Sequence, residues 1–370
     1  MSGAATYVLL WAGFLAYLGA LAKAPVLDRR LVWGAILLVL AVFAAVPPLL
    51  SQDVYSYVDY ARLGVVHDLN PYVHPPSAVA ADPVYEEVGW TEATSAYGPL
   101  FTLMTYPLAW LPVDAAVYLL KALTAASVLG LAVLVARLAP MRGVDPLRAA
   151  AFVALNPLVL VHVVGGGHND AMAMLVAVAG CAAVLALRPA SSGFAIASAI
   201  GLKLSAAFVA PFALLGAARR AAGVGGGGGG RFLLGAAIAV LAIGAVGYTA
   251  FGWHWLDSLG LAGENQGRVS NYSVPNLISE LLNLDIDLIR AAASAAYLSL
   301  LAALLLWTWR GADWLRAAGW AALGLLLATA WLLPWYLIWA LPLAALSRDR
   351  PLQLLVLALT ALQLAARVPL

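Results

Sequence analysis

Apolar runs recur along the chain near 4–22, 31–50, 113–138, 147–163, 170–188, 193–216, 231–252, 291–309, 316–334, 335–347 and 351–367. Most have the roughly twenty residues that a helix needs to cross a bilayer. Two stretches break the rhythm. "GPLFTLMTYPLAW" (98–110) is apolar but short, and Pro99 and Pro107 interrupt it. Counting it as a full span would put Arg137–Arg148 on the outside, so the pattern predicts a helix lying along the outer interface. The run 193–216 has arginines beyond both ends and holds Lys203 and Pro211. One crossing cannot satisfy that arrangement; a broken helix or re-entrant hairpin can. The pattern therefore predicts an all-α integral membrane protein with about 10–12 crossings.

Charge supplies the orientation. Lys23, Arg29, Arg30, Arg137, Arg142, Arg148, Arg188, Arg219, Arg220, Arg231, Arg310, Arg316, Arg348 and Arg350 fall in the short loops, fourteen of the chain's twenty basic residues. These loops are predicted to be cytoplasmic. The other face carries the histidines and all the acids except Asp28, Asp145, Asp313 and Asp349. The expected location is a plasma membrane, crossed many times, with any active site on the extracytoplasmic side.

Composition agrees: 64% hydrophobic, 10% charged and a mean hydropathy of +0.92, against about 25% charged residues in a soluble domain. The bilayer is an expected partner and nucleic acid is not. The single Cys181 offers neither a disulfide framework nor a cysteine metal site. The first apolar run, Tyr7–Leu21, lacks a basic lead, so no cleaved signal peptide is expected. Residues 221–230 read as a Gly-rich cytoplasmic linker; no Gly-Lys-Ser/Thr follows, so it is not a phosphate loop. The chain 1–370 reads as one transmembrane domain, with a first outer loop at 51–112 and a second large one at 253–290.

The polar chemistry sits in those outer segments. In "QDVYSYVDY" (52–60), helical spacing would align Asp53, Tyr57 and Tyr60 on one face. The tyrosines can equally be interface anchors, and Asp53 can be a helix cap or a half-buried base made more basic by desolvation. "VHVVGGGHNDAMAM" gathers His162, His168, Asn169 and Asp170 at a span junction, open to capping, polar substrate binding or a divalent metal. Lys203 lies inside an apolar run, where a lysine either snorkels or faces an anion. Lys121, near the start of its span, reads as a snorkeller. Arg268 in the 253–290 loop is the best outer partner for a phosphate, because a guanidinium fork matches phosphate oxygens. Trp335 and Tyr336 in "LLPWYLIWALP" follow the break at Pro334 and can stack on sugar or anchor the interface.

In order, "SQDVYSYVDYARLGVVHDLNPY", "SAYGPLF", "NPLVLVHVVGGGHNDAMAM" and "LLPWYLIWALP" resemble the actinobacterial polyprenyl-phosphomannose-dependent α-1,6-mannosyltransferases, integral-membrane glycosyltransferases of the GT-C class. The resemblance covers about residues 45–345. It implies a GT-C helical bundle with interfacial helices in its first outer loop. It also implies a catalytic aspartate just after a span, the position Asp53 holds. Mannose would pass with inversion from a polyprenyl-phosphate donor to an outward-facing glycan or glycolipid acceptor. In that scheme Arg268 and Lys203 receive the donor phosphate. His168, Asn169, Asp170, Tyr57, Tyr97, Trp335 and Tyr336 surround the sugar and acceptor. No cofactor is required, although a divalent cation remains open. The rival readings are a GT-C transferase using another polyprenyl-phosphate sugar, such as arabinose or glucose, and a lipid or sugar transporter.

Overall fold

The computed structural model describes residues 3–222, 226–265 and 267–365, all helix, turn or coil with no strand among them. Helix α1 (Gly3–Lys23) is followed, after a 3-10 turn, by helix α2 (Arg29–Ala45). Asp28 caps α2, accepting the Arg30 amide at 2.7 Å. The chain then runs along the outer rim through α3 (Asp53–Val65), α4 (Pro99–Thr105) and a 3-10 turn, Tyr106–Trp110. The stretch 98–110 is thus a short helix followed by a 3-10 turn, with Pro99 opening α4 where its missing N–H costs nothing.

Helix α5 (Val113–Leu138) descends, and α6 (Pro146–Ala154) returns with a π-helical turn, Val159–Val164. Helix α7 (Asp170–Leu185) descends and α8 (Pro189–Leu202) climbs. A 3-10 turn, Leu204–Val209, leads down into α9 (Ala210–Ala222), and α10 (Gly228–Phe251) climbs again. Helices α11 (Asp257–Asn265) and α12 (Val274–Leu282) lie at the outer end. Helix α13 (Ile286–Trp309) descends, α14 (Trp314–Ala328) climbs, the 3-10 turn Pro334–Trp339 with α15 (Leu341–Ala345) descends, and α16 (Arg350–Ala365) climbs.

Side-chain bonds identify the two ends. At one, Arg142 pairs with Asp313, Arg316 with Asp349 at 2.5 Å, and Arg220 reaches the Leu185 carbonyl at 3.2 Å. At the other, Asn70 holds the Phe251 carbonyl at 2.8 Å and Gln363 the Tyr272 carbonyl at 3.0 Å. The basic loops thus gather at one end and the acidic outer loops at the other, as the charge pattern predicts. Counted between these ends, the described residues make twelve passes. Among the described residues four helices are long and apolar enough to cross a membrane: Tyr7–Val26, Val113–Arg142, Gly228–Phe251 and Ile286–Trp309. Only 6% of the Ile286–Trp309 window is buried in the protein. So apolar a face suits hydrocarbon rather than water.

The run 193–216 is a helical hairpin. Lys203 is extended (φ −154°, ψ 123°) at its apex, and Pro211 occupies the first turn of α9, where proline is tolerated. Both arms therefore end at the arginine side, which resolves their flanking charges. Two expectations change. Residues 221–222 and 228–230 belong to α9 and α10, so the linker is shorter than 221–230, and residues 223–225 lie outside the described ones. Lys121 does not snorkel: its side chain is buried and donates to the Val46 carbonyl at the end of α2. A backbone acceptor supplied by a neighbouring helix end satisfied the ammonium without an excursion to the interface.

Helices α8 and α10 touch at glycines. A Cβ on Gly193 would run into the Phe232 backbone, and one on Gly235 into the Ala190 backbone. Neither obstacle is a flexible side chain, so Gly193→Val should destabilise the bundle by about 1–3 kcal/mol, the usual cost of overpacking. The measurement is the melting temperature in detergent. Gly244→Ala on α10, with nothing within 4 Å of the added carbon, should leave that temperature unchanged or raise it.

Candidate active site

Three interruptions of regular helix converge at the outer end: the 155–169 connection, the hairpin apex at Lys203 and the segment 329–334. Asp53 is the first residue of α3, beside them. Its Oδ1 accepts the Trp90 indole N–H at 3.0 Å, and its Oδ2 lies 3.5 Å from His168 Nδ1. The Asp53 side chain keeps 16% exposure, whereas the His168 ring is sealed at 0%. Burial raises the Asp53 carboxyl above its usual value, while the Trp90 bond and the Lys203 charge oppose the rise. Burial, with the Lys203 charge adding to it, pushes His168 well below the ordinary imidazole value, so the ring is neutral at pH 7. That ring lies flat on Trp335, with centroids 3.6 Å apart.

Gly167, at φ +73°, turns the chain from the π turn into α7, and a Cβ there would strike Val54 of α3. The turn brings Asp170, fully buried, to face the hairpin apex. Lys203 Nζ donates to Asp170 Oδ2 at 2.6 Å and to Asn169 Oδ1 at 3.1 Å, and Trp339 donates to Asp170 Oδ1 at 2.8 Å. The ammonium sits 5.9 Å from the Tyr97 ring and 5.8 Å from the Tyr336 ring. Tyr97 comes so near because Gly98 packs directly on the Gly201 backbone. Tyr57 and Tyr60 both meet Tyr97, with centroids at 4.9 and 6.4 Å. The predicted common face of Asp53, Tyr57 and Tyr60 thus exists, and the two tyrosines are buried inside the loop rather than at its surface.

Arg268 approaches from the 253–290 loop. Its guanidinium lies 4.8 Å from the centroid of Trp90 and 5.5 Å from that of Trp331. Among the described residues it has no acidic partner. Every residue proposed from the sequence therefore falls into one connected cluster. Three tryptophans went unnoticed: Trp90 on Asp53, Trp339 on Asp170 and Trp331 against Arg268. Trp90 lies in the first outer loop and Trp331 and Trp339 inside apolar runs, where anchoring or packing explains a tryptophan as well. His162 also lies near Trp335, at 6.4 Å. Among the described residues no three of His, Cys, Asp and Glu converge as metal ligands.

A second charged group frames α3. Arg62 forks onto Asp82 at 2.8 and 3.0 Å and holds the Ala109 carbonyl at 3.1 Å, while His67 meets Asp82 at 2.6 Å. Burial alone would raise the Asp82 carboxyl, but these bonds outweigh it and hold the group below its usual value. Neighbouring Asp59 has no such support; burial and the Asp82 charge push it up to about 7. The frame ties α3 to the 76–110 part of the loop.

The Lys203–Asp170 pair makes a clean test of what the hairpin apex does for stability. Lys203→Met alone would leave a fully buried carboxylate without its counter-charge, at a cost of about 3–5 kcal/mol. The double variant Lys203→Met, Asp170→Asn should recover most of that loss in a detergent melt. Equal damage from both would mean that the pair does not carry the apex.

Residues 1–219 match the family described as alpha-(1->6)-mannopyranosyltransferase, N-terminal domain. The chain is 28% identical over 383 residues to the alpha-(1->6)-mannopyranosyltransferase A of Mycobacterium tuberculosis, covering 91% of this chain and 70% of that one. It is 31% identical over 176 residues to the protein of the same name from Corynebacterium glutamicum, covering 46% of this chain and 35% of that one. The match thus spans only about a third of the length of the C. glutamicum relative. No solved structure matches at a significant level. With its first 219 residues matched, well over half of its 370, this chain belongs to the alpha-(1->6)-mannopyranosyltransferase family.

Proposed function

We propose that the protein transfers mannose from a polyprenyl-phosphate donor to an outward-facing glycan or glycolipid hydroxyl, with inversion, and that Asp53 is the general base. Family membership supports mannosyl transfer. The observation that carries the catalytic reading is the Asp53 carboxylate itself. It is half-buried at the rim of the bundle, held on one oxygen by Trp90 and approached on the other by a neutral histidine. A carboxylate made more basic by desolvation is suited to take a proton.

In the proposed step Asp53 removes the acceptor hydroxyl proton as that oxygen attacks the anomeric carbon. The bond from this carbon to the phosphate oxygen breaks, and polyprenyl phosphate leaves with the electron pair. The leaving group needs positive charge rather than a proton. Arg268, free of acidic partners among the described residues, supplies it. Lys203 spends two of its three N–H donors on Asp170 and Asn169 and retains one for the same phosphate. Among the described residues the buried Asn169 amide nitrogen and both His168 ring nitrogens have no hydrogen-bond partner. Buried polar atoms of that kind face ligand hydroxyls well. Tyr57, Tyr97, Trp335 and Tyr336 form the aromatic walls around this space, and the exposed apolar helices offer a surface for the lipid tail. The acceptor and the extracytoplasmic placement of the site are part of the same proposal.

The test is sugar transfer in membranes, with labelled polyprenyl-phosphomannose and a short α-mannoside as acceptor. Asp53→Asn should lower the rate by about 10²–10⁴-fold. Because the folded state raises the Asp53 value, its contribution to stability is lost as pH rises through that raised value. The Asn variant should therefore be at least as stable at neutral pH. In the wild type, kcat/KM should fall on acidification, with a midpoint above about 4, the ordinary carboxylate value. Full activity in Asp53→Asn would move the base elsewhere. Activity with polyprenyl-phosphate arabinose or glucose but not mannose would keep the fold and change the donor.

A further inference from the structure

Asp53 is held by a residue from a distant part of the loop, and that residue is itself held. Trp90 donates its indole N–H to Asp53 Oδ1 at 3.0 Å across thirty-seven residues of sequence. The same indole lies under the Arg268 guanidinium at 4.8 Å and against the edge of Trp331, 6.4 Å away at 86°. One side of Trp90 thus touches the carboxylate and the other the cation of the 253–290 loop. Trp331 meets the same cation at 5.5 Å, so the guanidinium sits in the corner formed by two perpendicular rings. The loop carrying Arg268 is fixed nearby, with Ser270 Oγ bonded to the Leu332 carbonyl at 3.0 Å.

We infer that Trp90 is a positioning residue that links the Arg268 site to Asp53, aiming the carboxylate through its N–H while its ring bears the arginine. This rests on the reading of Asp53 as base and Arg268 as phosphate partner. The physical argument has two parts. A charge-assisted N–H bond fixes one carboxylate oxygen and leaves the other directed at the acceptor. A cation held in the corner of two indoles rather than by an acid keeps N–H donors free for phosphate oxygens. One ring thus carries the phosphate partner and aims the base, which sets the two groups at a fixed separation.

The two functions of Trp90 separate by substitution. Trp90→Phe keeps a ring under Arg268 and removes the N–H. With the bond gone, the Asp53 carboxyl rises further. The acid limb of kcat/KM should move up by about one pH unit, and kcat at the plateau should fall by about tenfold. The KM for polyprenyl-phosphomannose should stay within about twofold. Trp90→Leu removes ring and N–H together and should add a rise in that KM. Arg268→Ala should raise the donor KM strongly. Trp90→His, which keeps a ring N–H, should recover part of the Phe variant's pH shift. If Trp90→Phe does not fold, the benzothiophene analogue of tryptophan at position 90 replaces the N–H by sulfur with the ring outline kept. It should give the same shift.

An unmoved acid limb in the folded Phe or benzothiophene protein, with Asp53→Asn inactive, would overturn the role of Trp90 and leave the base intact. Full activity in Asp53→Asn would overturn the base itself, and Trp90 with it. A merely structural Trp90 would lower the amount of active enzyme without moving the pH profile.

Discussion

A single buried ion pair holds the outer end together. Lys203 stands where the hairpin reverses, Asp170 where α7 begins, and they meet at 2.6 Å with Trp339 closing the far oxygen. Neither charge would be tolerated at that depth alone. Together they join the 165–170 turn, the hairpin apex and the 3-10 turn Pro334–Trp339, three places where the backbone leaves regular α-helix. Within a bilayer such backbone is stable only when it is enclosed by protein or faces a cavity. The breaks therefore cluster, and the cluster is where polar chemistry can be housed.

The same arrangement explains why the candidate base is both half-buried and accessible. Asp53 begins a helix at the rim rather than lying inside a span, so its carboxylate keeps contact with the outer side. Trp90 and the His168–Trp335 stack restrict it from the loop side and the bundle side. The Arg62–Asp82–His67 group holds the helix behind it. The catalytic reading thus relies on rigid supports from four distant stretches of chain.

Much of this was legible in the residues. Hydropathy placed the helices because a bilayer imposes length and apolarity directly on sequence. The basic loops oriented them, and arginines beyond both ends of 193–216 pointed to the hairpin. Asp53, His168, Asp170 and Lys203 stood out because polar residues beside long apolar runs need a reason. The partnerships did not stand out. A tryptophan near an interface looks the same whether it anchors lipid or donates to a carboxylate, so Trp90, Trp331 and Trp339 were invisible. Lys121 was misread because its acceptor, the Val46 carbonyl, lies on another helix end and has no side-chain signature.

The hairpin has a consequence for how the protein enters its membrane. Its arms both end at the basic side, so 189–222 can only go in as a unit, apex first. That apex carries an ammonium through hydrocarbon, a step that translocation scales put at about 3 kcal/mol for a lone charge. Asp170 heads the helix synthesised just before it. A hairpin that slides along α7 toward this carboxylate ends its journey neutralised. The order of synthesis, carboxylate first and ammonium second, therefore favours insertion as well as the finished site.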